Sequence, residues 1–171
     1  MNDHMTQVSA SDPDMTREVP GRFWDPSRRL LRSIRAYQAA GTGPVGWLRR
    51  KVAILMHRVW SVVTQAEIDL NARIGGGLLI PHPNGIVIHP DVEIGPNCLI
   101  FQQVTLGQGR GGVPTLGGHV DIGAGAKVLG PVSVGDHAVI GANAVVLCDV
   151  PPGMMAVGVP ARIVQRRKKA S

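Results

Sequence analysis

The chain has 171 residues, of which 44% are hydrophobic and only 4% aromatic, with 22 Gly, 13 Pro and two Cys. This composition excludes a disordered chain and, without a strict Gly-X-Y period, a collagen; it describes many turns around a core of small and branched aliphatics. Charge is unevenly placed: residues 1–66 hold 10 Lys/Arg against 5 Asp/Glu, residues 67–163 hold 4 against 7, and residues 164–171 hold 4 against none. The basic balance therefore belongs to two appendages and not to the body, and a nucleic-acid partner is not expected. Cys98 and Cys148 form neither a disulfide framework nor a metal-ligand spacing. No apolar run reaches the ~18 residues of a membrane span, and residues 1–20 lack the apolar core of a signal peptide. A cytoplasmic location is expected.

Residues 1–24 mix Ser, Asp, Thr, Pro and charges with no apolar period, which predicts a flexible arm. A helical segment is expected over 25–65. Asp25-Pro26 can start a first helix, Asp as N-cap and Pro at the first helical position. Leu30, Leu31, Ile34 and Tyr37 give it an apolar face, and Gly41-Thr42-Gly43 ends it. A second helix is predicted from about Pro44 to Val63, with Leu48, Val52, Leu55, Met56, Val59, Trp60 and Val63 at helical spacing and Arg49, Arg50 and Arg58 largely off that stripe. Two uses suit such a stripe: packing on the domain or a sister subunit, which is preferred, or contact with a membrane surface.

From Ile68 the chain repeats in sixes. Ile68, Ile74, Ile80, Ile88, Ile94, Ile100 and Leu106 lead successive units, and Leu116, Ile122, Val128, Val134, Ile140 and Val146 continue them. Four places after most leaders stands a second small or aliphatic residue, such as Ala72, Val92, Cys98, Val104, Ala126 or Ala144. Two extra residues fall near Ile86-Val87 and four between Leu106 and Leu116. A six-residue period fits neither a helix nor an ordinary sheet; it predicts a triangular solenoid with one short strand per side, over 66–164, with glycines in the turns and a basic tail over 165–171. The general rule for parallel crossovers would make its turns right-handed. An aliphatic core performs no chemistry, so function must lie on the outer surface, in the register breaks or between subunits.

Five stretches carry a further signal: Pro81-His-Pro-Asn-Gly-Ile-Val87, Val104-Thr-Leu-Gly107, Ile122-Gly-Ala-Gly-Ala-Lys-Val-Leu-Gly130, Ile140-Gly-Ala-Asn-Ala-Val-Val146, and Val150-Pro-Pro with Gly158-Val-Pro-Ala-Arg-Ile-Val164. In this order they resemble the serine acetyltransferase branch of the hexapeptide-repeat acyltransferases. The resemblance implies a mainly β fold, a left-handed parallel β-helix behind a short α-helical N-terminal segment. It implies an O-acetyltransferase with acetyl-CoA as cosubstrate and no permanently bound cofactor, a homotrimer, and L-serine as acceptor, within cysteine biosynthesis. His82 is then the general base and Glu67 an acidic partner that orients it or holds the acceptor amine. Gly107, Ala124, Ala142, Ala161, Arg162 and Lys168 are the implied acetyl-CoA contacts; no metal is implied.

The sequence also departs from that family. Gly112 and Val113 stand where it has an Arg-His pair before Pro114, and the loop is shorter. Pro81 replaces an Asp before the base. Without that Arg, a sugar hydroxyl of a surface or capsular polysaccharide becomes the alternative acceptor, and Arg110 the candidate for a substituted carboxylate grip. A metal enzyme on the same solenoid would need His82, His89 and His119 to converge. A non-catalytic repeat scaffold is the remaining reading.

Overall fold

The computed structural model describes residues 8–166. The repeat region forms a three-faced prism of about four turns, the left-handed parallel β-helix. The first face carries the strands Glu67–Ile68, Val87–Ile88, Thr105–Gly107, Lys127–Leu129 and Val145–Val146. The second carries Arg73–Ile74, Glu93–Ile94, Thr115–Leu116 and Ser133–Val134. The third carries Leu99–Ile100, Asp121–Ile122, Val139–Ile140, Met154–Val157 and Arg162–Gln165. All pairings are parallel except the last, where Met154–Val157 and Arg162–Gln165 form an antiparallel hairpin. The hairpin closes the C-terminal end, so the parallel repeat stops short of residue 164.

Every leader of the sixes is buried, from Ile68 to Val146, with Ala72, Val92, Cys98, Val104, Ala126 and Ala144 beside them. Strand alternation alone accounts for this: in a two-residue strand the second residue points inward and the first outward. The corners differ from the expectation that glycine would supply them. At the corner between the third and first faces, Gln65, Gln103 and Asn143 share the left-handed conformation with Gly85 and Gly125; at the corner between the second and third, Asn97, His119 and His137 share it with Gly77 and Gly153. Left-handed backbone disfavours a Cβ by about 1–2 kcal/mol per residue. From the second coil onward the corner amides donate to the coil before them, as His119 N–H does to Pro96 O at 2.7 Å and His137 N–H to Gly118 O at 3.0 Å. That ladder holds the conformation whichever side chain it bears.

A parallel solenoid exposes unpaired backbone at its first coil, and such an edge must be covered. Helix α1, Pro26–Gln38, covers it, capped by the Asp25 carboxylate accepting Arg28 N–H. Its Leu30, Leu31 and Ile34 join the solenoid core. Arg35 donates to Ile74 O and Gly75 O, and Gln38 to Leu70 O and Ala72 O. The expected flexible arm is a strap over its described part. Asn97, buried, accepts Asp14 N–H and donates to Ser9 O and Asp12 O. A 3-10 turn, Met15–Glu18, then brings the Glu18 carboxylate to Gly77 N–H and Leu78 N–H. The strap is polar because it satisfies backbone groups, which is why it has no apolar period.

Helix α2, Gly43–Thr64, packs on α1 with Ala53 buried, its Gly46 lies against Gly41 of the connecting turn, and it ends at Gln65 in the left-handed conformation. Of the apolar stripe expected to pack on the domain or a sister subunit, Trp60 packs against the core, whereas Leu48, Val52, Leu55 and Val59 are exposed on this chain.

Candidate active site

The turn 81–86 is where the solenoid widens. Leu79 pairs with Leu99 and Val87 with Thr105, so eight steps of chain in one coil face six in the next. Ile86 is fully buried and occupies the inner position. The two extra residues are therefore extruded at Pro81–Pro83, slightly earlier than the spacing placed them, and His82 stands exposed at the bulge. Flanking prolines restrict the backbone on both sides. Gly85 N–H donates to Gln65 O at 2.9 Å, Asn84 Nδ2 to Gln65 Oε1, and Gln103 N–H to Asn84 O at 2.9 Å. The base candidate is thus an exposed imidazole on a turn fastened to the coils above and below.

Glu67 begins the strand beside this turn; its N–H donates to Ile86 O at 2.8 Å. Its side chain is exposed on the first face, in register with Val87. No ion pair joins Glu67 to His82 among the described residues. Glu67 is placed near the turn and free to meet a cation.

Ala124 and Ala142 lie on the same prism edge as His82. The edge is a ladder: Gln103 N–H to Asn84 O, Gly125 N–H to Gln102 O at 2.9 Å, and Asn143 N–H to Ala124 O at 2.8 Å. Three coil steps of ~4.8 Å separate the His82 turn from Ala142, about 14 Å in all. Ala161 N–H donates to Val145 O at 2.8 Å and Val145 N–H to Gly158 O at 3.0 Å, which stacks Gly158–Ala161 on the last strand of the first face. Arg162 is exposed beside it. Lys168 lies outside the described residues.

Gly107 is elsewhere. It ends its strand at the opposite edge of the first face, where its carbonyl accepts Gly130 N–H at 3.1 Å and an added Cβ would press on Leu129 at 3.1 Å. The four extra residues follow, as spacing predicted. They fold into a hairpin in which Gly109 N–H donates to Gly112 O at 2.9 Å. Arg110 is exposed at its tip. Below the loop is a groove of about 590 Å³ lined by Arg110, Leu129, Leu147 and Cys148 among others. Sequence reading missed Leu147 and Cys148; the signal was there, since Leu147 is one coil of 18 residues beyond Leu129.

The remaining histidines separate. His89 is at the edge where the first face meets the second, its Nδ1 accepting Asp91 N–H at 3.2 Å. His119 is at the edge between the second and third, its Nδ1 2.8 Å from Nδ1 of His137. His82, His89 and His119 thus occupy three different edges and do not converge. Burial pushes the Cys98 thiol up to about 11, so it remains protonated in the core.

Together the fold and the edge that bears His82 define a hexapeptide-repeat β-helix with its candidate site residues on the outside of the prism. No family model matches the chain. It is 46% identical over 120 residues to the serine acetyltransferase of Helicobacter pylori (strain J99), covering 67% of this chain and 70% of that one. It is 44% identical over 176 residues to the serine acetyltransferase of Escherichia coli (strain K12), covering 92% of this chain and 64% of that one. A solved serine acetyltransferase in complex with CoA superposes with a TM-score of 0.70 at 37% identity, covering 82% of this chain and 58% of that one. The chain belongs to the serine acetyltransferase family. It spans about half to two thirds of the length of several curated relatives, 48%, 55% and 64% in three of them.

Proposed function

We propose that this chain is an acetyl-CoA-dependent O-acetyltransferase acting on L-serine, as a homotrimer whose active sites lie between subunits. The observation that carries the trimer is the separation of the two edges of the first face. His82, Ala124 and Ala142 line the edge where the chain enters that face, and the Gly107 loop with its groove lines the edge where it leaves. A second copy brings one edge against the other, and three prisms close the ring with cyclic symmetry.

In this reading the acetyl-CoA arm runs along the ladder from Ala142 and Ala124 toward His82, where small side chains leave room. Arg162 stands toward the phosphate end. His82 accepts the proton of the serine hydroxyl as its oxygen attacks the thioester carbonyl; the C–S bond breaks as the new C–O bond is completed, and His82 returns the proton to the CoA thiolate. Glu67 receives the serine ammonium. Arg110, at the tip of the neighbour's loop, takes the carboxylate that the absent Arg-His pair would have gripped. The names of the relatives favour serine over a sugar hydroxyl.

The test is thiol release from acetyl-CoA with L-serine and with sugars as acceptors, followed by mixing. A His82→Ala chain and a chain lacking 109–112 should each be inactive, and co-refolding them should restore part of the activity by pairing an intact edge with an intact loop. A monomer by light scattering, or no recovery in mixed trimers, removes the intersubunit site.

A further inference from the structure

The segment between Pro26 and Ala66 contains eight Lys/Arg and no Asp/Glu. It builds the α1–α2 hairpin, and the two faces of α2 differ sharply. One face, with Gly46, Ala53 and Thr64 buried, lies against α1 and the start of the solenoid. At 100° per residue, Leu48, Val52, Leu55, Val59 and Val62 fall within one sector of about 80° on the other face. All five are exposed, Val62 at 79%. Arg49 flanks this sector on one side, Lys51 and Arg58 on the other. Long cationic side chains at the rim of an apolar helical stripe can reach outward while their stems cover apolar surface.

Next to the stripe, α1 and α2 enclose a groove of about 670 Å³ in which Arg29, Arg32 and Arg49 stand beside Leu48, Met56 and Trp60. Arg29 is held between two rings, 5.8 Å from the Phe23 centroid and 5.6 Å from that of Trp60. Its Nε is buried with no hydrogen-bond partner among the described residues. Phe23, at 90% exposure, and Trp24 project from the same end of the hairpin. The groove therefore combines guanidinium groups with an apolar floor.

We propose that this hairpin docks on an anionic phospholipid bilayer, with the α2 stripe at the boundary of headgroups and acyl chains and the arginines on lipid phosphates. The charge decides between occupants. Arg28 and Arg35 are paired with Asp25 and Glu18, and a second copy seated face to face would still set the other six cations of one hairpin against six of the next, with no acid in either segment to offset them. An anionic surface supplies the missing charge and accepts the apolar stripe at once. The hairpin lies on the surface and does not cross it, since no described helix is long and apolar enough to span a membrane.

The three tryptophans of the chain, Trp24, Trp47 and Trp60, all lie in or beside this hairpin, so intrinsic fluorescence reports it directly. The full chain is mixed with vesicles of phosphatidylcholine alone and with vesicles of equimolar phosphatidylcholine and phosphatidylglycerol. Co-sedimentation and a blue shift of the emission are expected with the second only, and both should fade at high salt as screening rises. The double variant Leu55→Glu/Val59→Glu changes two exposed positions outside the proposed active site. It should keep its oligomeric state and acetyl transfer while binding these vesicles at least about tenfold more weakly. No binding to either vesicle overturns the proposal. So does binding that survives the double substitution, which would assign it to the basic C-terminal tail. A double variant that binds as expected but has dissociated into smaller assemblies also overturns it, because the stripe would then be an interface between copies.

Discussion

The Glu18 carboxylate and the Arg35 guanidinium meet in parallel, Oε2 to Nε at 3.0 Å and Oε1 to Nη2 at 2.8 Å, and between them satisfy both kinds of open backbone group at the first coil. Glu18 takes the amides of Gly77 and Leu78, and Arg35 gives to the carbonyls of Ile74 and Gly75. Glu18 is buried. Glu18→Ala leaves Arg35 and two amides without their partner, and should cost about 2–4 kcal/mol of stability. Chemical denaturation measures it. Proteolysis within residues 8–24 should quicken in the same variant, because the strap loses its innermost anchor. A loss below about 0.5 kcal/mol would mean that the strap contributes nothing to closing the solenoid.

Stability should fall as pH drops below about 6.5. Burial holds the His119 imidazole below its ordinary range, with His137, Arg17 and Arg166 acting in the same direction and Asp121 against them. Burial also lowers His57, against Asp69. A histidine whose folded pKa is depressed binds fewer protons than in the unfolded chain, so its contribution is complete above pH 6.5 and is lost as pH falls through the folded value. The 2.8 Å contact between His119 and His137 sharpens this, since one Nδ1 must accept and two imidazolium rings cannot share it. His119→Asn should flatten the decline in thermal midpoint between pH 7.5 and 5.5. Asn is suited to the left-handed corner, as Asn97 and Asn143 show. An unchanged slope in that variant would place the pH dependence elsewhere.

His82→Ala should lower turnover by about 10²–10⁴-fold, the usual effect of losing a general base. The side chain is exposed, so the thermal midpoint and oligomeric state should hold, and acetyl-CoA binding should change little. His119→Ala is the control; it lies on another edge and should retain turnover. Retention of activity in His82→Ala would remove the mechanism proposed for this chain.

Ala142→Trp places a large side chain beside the ladder, at an exposed position next to Asn143, whose N–H donates to Ala124 O. Acetyl-CoA binding should weaken by up to about 10²-fold while KM for serine moves far less, because misplacing a reactant by an ångström has effects of that size. Titration calorimetry with CoA reads the first and initial rates the second. Equal weakening of both would argue that the arm does not follow this edge.

Sequence alone determined the interior. The leaders from Ile68 to Val146 and the small residues between them state, six by six, which side chains point inward, because strand alternation is a local property that needs no partner to be read. Helix boundaries were legible for the same reason: Asp25, Pro26 and the Gly41–Gly43 stop act within a few residues of themselves. The Pro81–Val87 motif marked His82 as the candidate base.

Tertiary structure decided what lies beside what. Register between coils, not spacing along one, set His82, Ala124 and Ala142 on one edge, the Gly107 loop on another, and His119 against His137 on the third. The polar residues 8–24 looked unstructured because their order comes from the backbone amides of Gly77 and Leu78 and the side-chain amide of Asn97, far away in the chain. The stripe of α2 looked like core because an apolar period says that a face seeks cover without saying where the cover is. Gly46, tight against Gly41 of the connecting turn, and the buried Ala53 turned the smaller face of that helix inward, and the larger apolar face was left pointing out.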